Sequence, residues 1–215
     1  MIKNVLVLLF AFFFYGCLHA QTVPNPEAIK LNDKAMQINM NFSSGTRAKD
    51  LHHAIRLLDQ AILIDSNFFI PRWNKLSFQT ELKQLDSAVI TGKRILKKWP
   101  KNTLVITFVG EYCDQKGDSV AAAKYYRNAL SVINHDLDSL AVSSRHYNNR
   151  LLEKAKLLIL LNQPERAQAI LQDMYKTETD PYQKEVFKDF MGMTRLDILN
   201  GKTTISKGVT KEINW

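Results

Sequence analysis

The apolar positions of this 215-residue chain fall into two regimes. From Val5 to Tyr15 they form an unbroken run of eleven. Beyond it they recur at steps of three, four and seven, the spacing that gathers side chains on one face of an α-helix. The apolar stretch Leu157 to Leu161 continues the helical pattern that runs from Leu151 and Leu152 through Ala155, so it does not read as a strand. Six prolines sit at boundaries: Pro24 and Pro26 at the entry, Pro71 and Pro100 near turns, Pro164 and Pro181 at helix starts. The pattern predicts that nearly the whole chain after residue 20 is helical.

The helical pattern is also periodic on a longer scale. Ala54, Ala88 and Ala122 are equally spaced, thirty-four positions from one to the next, and twelve positions after each come Ser66, Pro100 and Asn134. Four positions after the alanines come Leu58, Gly92 and Tyr126, and seven after them Ala61, Ile95 and Ala129. Steps of four and seven are near one and two helical turns, so these columns share a face. Small members let two helices approach and larger ones fill the space beside them. One helix-turn-helix unit of this length cannot bury its apolar face alone, which is why such units occur in stacks.

In this register the segment from Thr103 to Asp136 presents Gly110, Ala122, Tyr126, Ala129 and Asn134, with Lys116-Gly117-Asp118 as the break between two helices. The segment resembles the tetratricopeptide repeat (TPR) family in its exported bacterial form. That family spaces a small residue, an alanine, an aromatic, a second alanine and a proline at intervals of twelve, four, three and five. Asn134 replaces the proline, and Cys113 stands where the family carries an aromatic. Phe69 to Asn102 keeps Ala88 and Pro100 but has Leu76, Gly92 and Ile95 in the other columns. The resemblance covers about residues 25 to 200. It implies an all-α, TPR-like helix-turn-helix solenoid of about four hairpins plus a C-terminal capping helix, forming one domain over 21–201.

The period drifts at both ends. Ala155 and Ala167 lie forty-five positions after Gly110 and Ala122, so eleven extra residues, about 137–147, must be accommodated. The expected outcome is a lengthened first helix from Ser139 to Leu161, closed by Asn162-Gln163-Pro164. Asp136 and Asp138 then precede that helix and favour its N-terminus. The interval from Ala35 to Ala54 is nineteen positions rather than twelve, which predicts a longer loop from Phe42 to Asp50 containing Ser43-Ser44-Gly45. A final helix is expected from Pro181 to Leu199, ending at Asn200-Gly201, before a polar tail over 202–215.

Lys3, the apolar run and the small residues between Gly16 and Ala20 read together as a secretory signal peptide over 1–20, too short for a membrane span. Two ends of it compete. Leu18-His19-Ala20 before Gln21 suits signal peptidase, whereas Gly16-Cys17 resembles the end of a lipobox and would leave a lipid on Cys17. The bulky Phe14 and Tyr15 favour the first, a soluble exported product at the cell envelope or periplasm, over the lipid-anchored one. Cys17 and Cys113 are the only cysteines, so cleavage after Ala20 leaves Cys113 without an internal disulfide partner. Its place in the repeat predicts a buried, inert thiol.

The formal net charge is +8; removing residues 1–20 takes away Lys3 and no acid, leaving 28 basic against 21 acidic residues, a net +7. Much of the excess is local. From Ser87 to Gly110 there is no acid, while Lys93, Arg94, Lys97, Lys98 and Lys101 stand together, with Trp99 at their edge. This face reads either as a site for an anionic glycan, lipid headgroup or acidic protein, or as a solubilising surface. It lacks the interleaved aromatics of a nucleic-acid site.

No catalytic, cofactor or metal site is expected. His52, His53, His135 and His146 show no helical metal spacing, and adjacent His52 and His53 diverge by about 100° on a helix. Neither a nucleophile elbow nor a glycine-rich phosphate loop occurs. Under the resemblance, a concave groove lined by the first helix of each repeat would carry Trp73, Asn74, Ser77 and Glu81, then Thr107, Phe108, Glu111 and Asp114. Trp73, Asn74, Ser77, Thr107, Phe108 and Glu111 are the candidate partner-binding residues. The groove lacks the Lys, Arg and Asn set with which some family members clamp a terminal carboxylate. Trp73 and Phe108 either meet an extended or helical segment of another protein or pack between repeats.

Overall fold

The computed structural model describes residues 23–41, 45–142 and 144–200. The expected signal peptide, Cys17 and the tail over 202–215 lie outside the described residues, as do residues 42–44 of the expected loop. Among the described residues there are ten α-helices and no strand. They are α1 (Pro26–Met40), α2 (Arg47–Ile64), α3 (Phe69–Glu81), α4 (Leu85–Lys98), α5 (Thr103–Gln115), α6 (Ser119–Ser139), α7 (Arg145–Leu160), α8 (Pro164–Thr177), α9 (Pro181–Met191) and α10 (Arg195–Leu199). The chain groups into two compact units, and the division falls between Lys75 and Leu76, inside α3.

The first unit is built on the α1–α2 hairpin. Ala28, Asn32 and Ala35 of α1 face Leu51, Ala54, Leu57, Leu58 and Ala61 of α2, all buried. Small residues on α1 let the leucines of α2 close the gap. Both ends of the hairpin are tied by polar contacts. Arg47 donates to the carbonyl of Asn39 at 2.9 Å and to its side chain at 2.8 Å, while the amide of Asn25 donates to Asp65 Oδ2 at 3.0 Å. Buried Asn32 accepts from Asn74 Nδ2 at 2.9 Å, which satisfies its carbonyl in an otherwise apolar setting.

In the second unit the repeat columns become the core. Ala88, Ile95, Ala122, Tyr126 and Ala129 are fully buried, and Gly92 and Gly110 are buried with them. The glycines mark where helices touch. A Cβ on Gly110 would lie 2.6 Å from Cε1 of Tyr126, and one on Gly92 would lie 2.4 Å from Cγ2 of Val109. Such distances are far inside van der Waals contact, so the backbone of α5 at Gly110 carries the Tyr126 ring of α6, and the backbone of α4 at Gly92 carries the Val109 side chain of α5.

The period is written into the backbone as well. Lys83, Gly117 and Asn162 are the described residues with positive φ, at 57°, 85° and 57°. The step from Lys83 to Gly117 equals that from Ala88 to Ala122, and the longer step from Gly117 to Asn162 equals that from Ala122 to Ala167. In each turn the next amide reaches back five positions at 2.8 Å: Gln84 to Gln79, Asp118 to Cys113 and Gln163 to Leu158. These are Schellman endings, in which a left-handed residue lets the chain reverse while satisfying helix carbonyls.

Two expectations about length are corrected. The extra residues near 137–147 do not lengthen the first helix of the next hairpin; they extend α6 to 21 residues and supply the connection to α7. Leu140 is extended, at φ −90° and ψ 142°, and Ser144 caps α7 by accepting from the amide of Tyr147. Buried Ile133 gives the added turns of α6 an apolar anchor in a helix that packs on α7. Asp136 and Asp138 therefore sit at the C-terminal end of a helix rather than ahead of one, and Asp136 pairs with Arg150 Nε at 3.1 Å. The single helix expected over Pro181–Leu199 is broken. α9 stops at Gly192, and Thr194 opens α10 through a reciprocal capping box with Asp197.

Candidate functional site

On α5, residues 103, 107, 111 and 114 lie on one side of the helix, with Gly110 at the edge of the same face. Thr103, Glu111 and Asp114 each meet a polar group from a later helix. Thr103 Oγ1 donates to Glu153 Oε2 at 3.0 Å and accepts from Arg150 at 2.9 Å. Arg150 also donates to Glu153 at 2.7 Å, so α7 meets the start of α5 through a closed polar cluster. One turn up α7, Lys156 Nζ stands 2.7 Å from Glu111 Oε1, close enough to pair as ions although not aligned as a hydrogen bond. At the C-terminal end of α5, Arg195 of α10 donates through Nη2 to both oxygens of Asp114, at 2.7 and 2.5 Å.

Asp114 is the most enclosed of these acids, its side chain only 6% exposed. It is also the acceptor for the Tyr126 hydroxyl at 3.1 Å, which links the polar row to the repeat core. Burial pushes the Tyr126 phenol well above its usual range, and the charges of Asp114 and Glu111 push in the same direction. Tyr112 is raised as well, chiefly by burial; its hydrogen bond with Thr80 acts the other way. Buried Cys113 is a thiol held up by desolvation, with Lys93 pulling it partly back. Neither residue type is poised for nucleophilic or acid–base work at neutral pH.

The candidate partner-binding residues divide between the two units. In the first, Trp73 is half-buried and stacks on Phe69 with ring centroids 6.5 Å apart, while Asn74 is bonded to Asn32. Ser77, Thr107, Phe108 and Glu111 belong to the second and are half-buried. Phe108 meets Tyr112 edge-on at 4.6 Å, leaving part of its ring accessible. Glu81 is exposed. Sequence spacing located the acidic row on α5 but not its answering cations, because Lys156 and Arg195 lie two and five helices further along the chain.

On α4, Lys93, Arg94, Lys97 and Lys98 are exposed, as is Lys101 in the following turn. Lys97 and Lys98 occupy the last turn of α4, where the helix dipole favours cations. Lys98 Nζ lies 5.5 Å from the Trp99 ring centroid. His52, His53, His135 and His146 are all exposed, and among the described residues no three His, Cys, Asp or Glu side chains are placed to hold a metal. No described helix is long and apolar enough to cross a membrane.

A crystal structure of a kinesin light chain protein from Podosopora anserina, composed of nearly identical TPR-like repeats, superposes with a TM-score of 0.53. The match covers 83% of this chain and 90% of that one at 14% sequence identity. The fold is TPR-like. No protein-family model and no curated protein sequence matches the chain. The low identity fits the physics of the repeat: the fold needs small and large residues in a few columns, and leaves the other positions free.

Proposed function

We propose that the protein is an exported, non-catalytic adaptor that binds a partner protein through the faces of its first-of-hairpin helices. The observation that carries this reading is the repeat fold itself, which holds a half-exposed aromatic and polar row on α5 over a core fixed by Gly110 and Tyr126. Thr107, Phe108 and Glu111 form the contact row in the second unit; Trp73, Asn74 and Ser77 are the further candidates on α3. A rigid backbone beneath such a row lowers the entropy lost on binding. Export rests on the apolar run over Val5–Tyr15, and Cys17 remains the alternative point of membrane attachment.

The test is crosslinking in the native cells, followed by affinity capture and mass spectrometry. One dominant partner crosslinked near Thr107–Phe108 or Trp73 is expected, and Phe108→Ala should reduce its recovery while helicity by circular dichroism is unchanged. Recovery of the protein alone would overturn the reading.

A second reading has its own observation. Lys93, Arg94, Lys97 and Lys101 are exposed and make no ion pair among the described residues, so they support contact with an anionic glycan or lipid headgroup. Retention on an anionic polysaccharide column that falls steeply with salt is then expected, and the triple change of Lys93, Lys97 and Lys98 to Glu should abolish it.

A further inference from the structure

The last described helix does not trail away from the repeats. α10 packs on α5 and α7, the two first-of-hairpin helices of the second unit. It is only five residues long and lies between the exposed Thr194 and Asn200. A helix that short is not stable alone, so its order comes from docking, aided by the capping box of Thr194 and Asp197. Three contacts dock it. Arg195 forks onto both oxygens of Asp114; Ile198, three positions on, is buried; and the Leu199 carbonyl accepts from Gln115 Nε2 at 3.0 Å. Leu196, on the outer side, is 66% exposed.

These contacts are those of a peptide on a receptor surface rather than of a core helix. One buried acid reads a cation, one apolar seat reads an aliphatic side chain, and one amide reads a helix-ending carbonyl. We propose that α10 is an intramolecular ligand, occupying the α5–α7 face until a partner helix of the same chemistry displaces it. The matching partner presents an arginine and, three positions later, an aliphatic side chain. This rests on the protein-binding role proposed above and specifies its ligand. While α10 is docked, the apparent affinity for that partner is reduced by the small fraction of molecules whose face is open.

The test uses the full chain and a fluorescent synthetic peptide of residues 193–200, titrated by anisotropy. Arg195→Ala loosens α10 while leaving Asp114 and Gln115 in place, and removing a charge-assisted fork is worth about tenfold or more in occupancy. The Arg195→Ala chain should therefore bind the peptide at least tenfold more tightly than the unaltered chain. Ile198→Asp, which attacks the apolar seat instead, should give the same gain. A peptide carrying alanine in place of its arginine should not bind either variant, and Asp114→Asn should bind the native peptide weakly. Equal binding by the unaltered and both altered chains, or binding that ignores the peptide's arginine, would overturn the proposal. The outcome is separable from the adaptor reading: a partner crosslinked near Phe108 with no gain for either variant sinks only the self-ligand. A clear gain with no partner recovered sinks only the adaptor.

Discussion

Two kinds of contact on neighbouring positions of α5 solve opposite problems. At Gly110 the helix lies against Tyr126, and the fit is steric: no atom can be added at residue 110 without entering the ring. Beside it, Thr103, Glu111 and Asp114 are polar groups whose partners arrive from α7 and α10. The steric contact is set by neighbours twelve and sixteen positions away, within one hairpin. The polar contacts are completed only when later hairpins have folded. The contrast teaches that a repeat can be locally determined in its packing while its surface chemistry stays open to whatever docks next.

The largest effect is expected at the steric contact. Tyr126→Ala removes a fully buried ring from above Gly110 and should destabilise the chain by about 3–5 kcal/mol, read as a lower denaturation midpoint in urea. Gly110→Ala approaches the same contact from the other direction and should cost about 1–3 kcal/mol, because the fully buried ring, tied through its hydroxyl to Asp114, must shift to admit the methyl group. A neutral result for Gly110→Ala would break the steric half of the comparison.

Among the polar contacts, Asp114→Ala leaves Arg195 and the Tyr126 hydroxyl without their acceptor. A loss of about 1–3 kcal/mol is expected, at the lower end because the arginine is partly exposed. Hydrogen exchange should speed up in α10 while the amides of α6 stay protected, which would distinguish this change from Tyr126→Ala. The linking tyrosine also predicts a pH response. Its folded-state pKa is raised above the ordinary 10.0, as is that of Tyr112, so the folded chain holds these protons more tightly than the unfolded chain. The contribution of these two phenols to stability should be level below pH 10 and fall as the pH rises above it, and Tyr126→Phe should blunt the fall. The smallest change is a gain. Lys83 is exposed and left-handed where the next hairpin has Gly117, so Lys83→Gly should stabilise by about 0.5 kcal/mol in thermal melts.

Reading the sequence was most successful where a contact is local. The columns through Ala88, Gly110, Ala122 and Tyr126 became the core, and Lys116-Gly117-Asp118 and Asn162-Gln163-Pro164 became the hairpin turns. It failed at 137–147, where the count of extra residues was right but their allocation was not. Apolar spacing continues on both sides of that segment, and the choice between extending α6 or α7 depended on the break at Leu140 and the cap at Ser144. It failed again at Pro181–Leu199, where a Thr-x-x-Asp capping box inside a helical pattern was read through. For the candidate site, the acidic row on α5 was legible and its closure by Lys156 and Arg195 was not.

By itself, then, the sequence determined that the chain is helical, where its hairpins turn, and that a TPR-like repeat forms, because a fixed period in small and large residues admits few other packings. Tertiary structure alone decided which polar groups pair and what covers the face of α5. Ion pairs between segments separated by whole hairpins leave no periodic trace in the chain; they exist only once the apolar columns have brought those helices side by side.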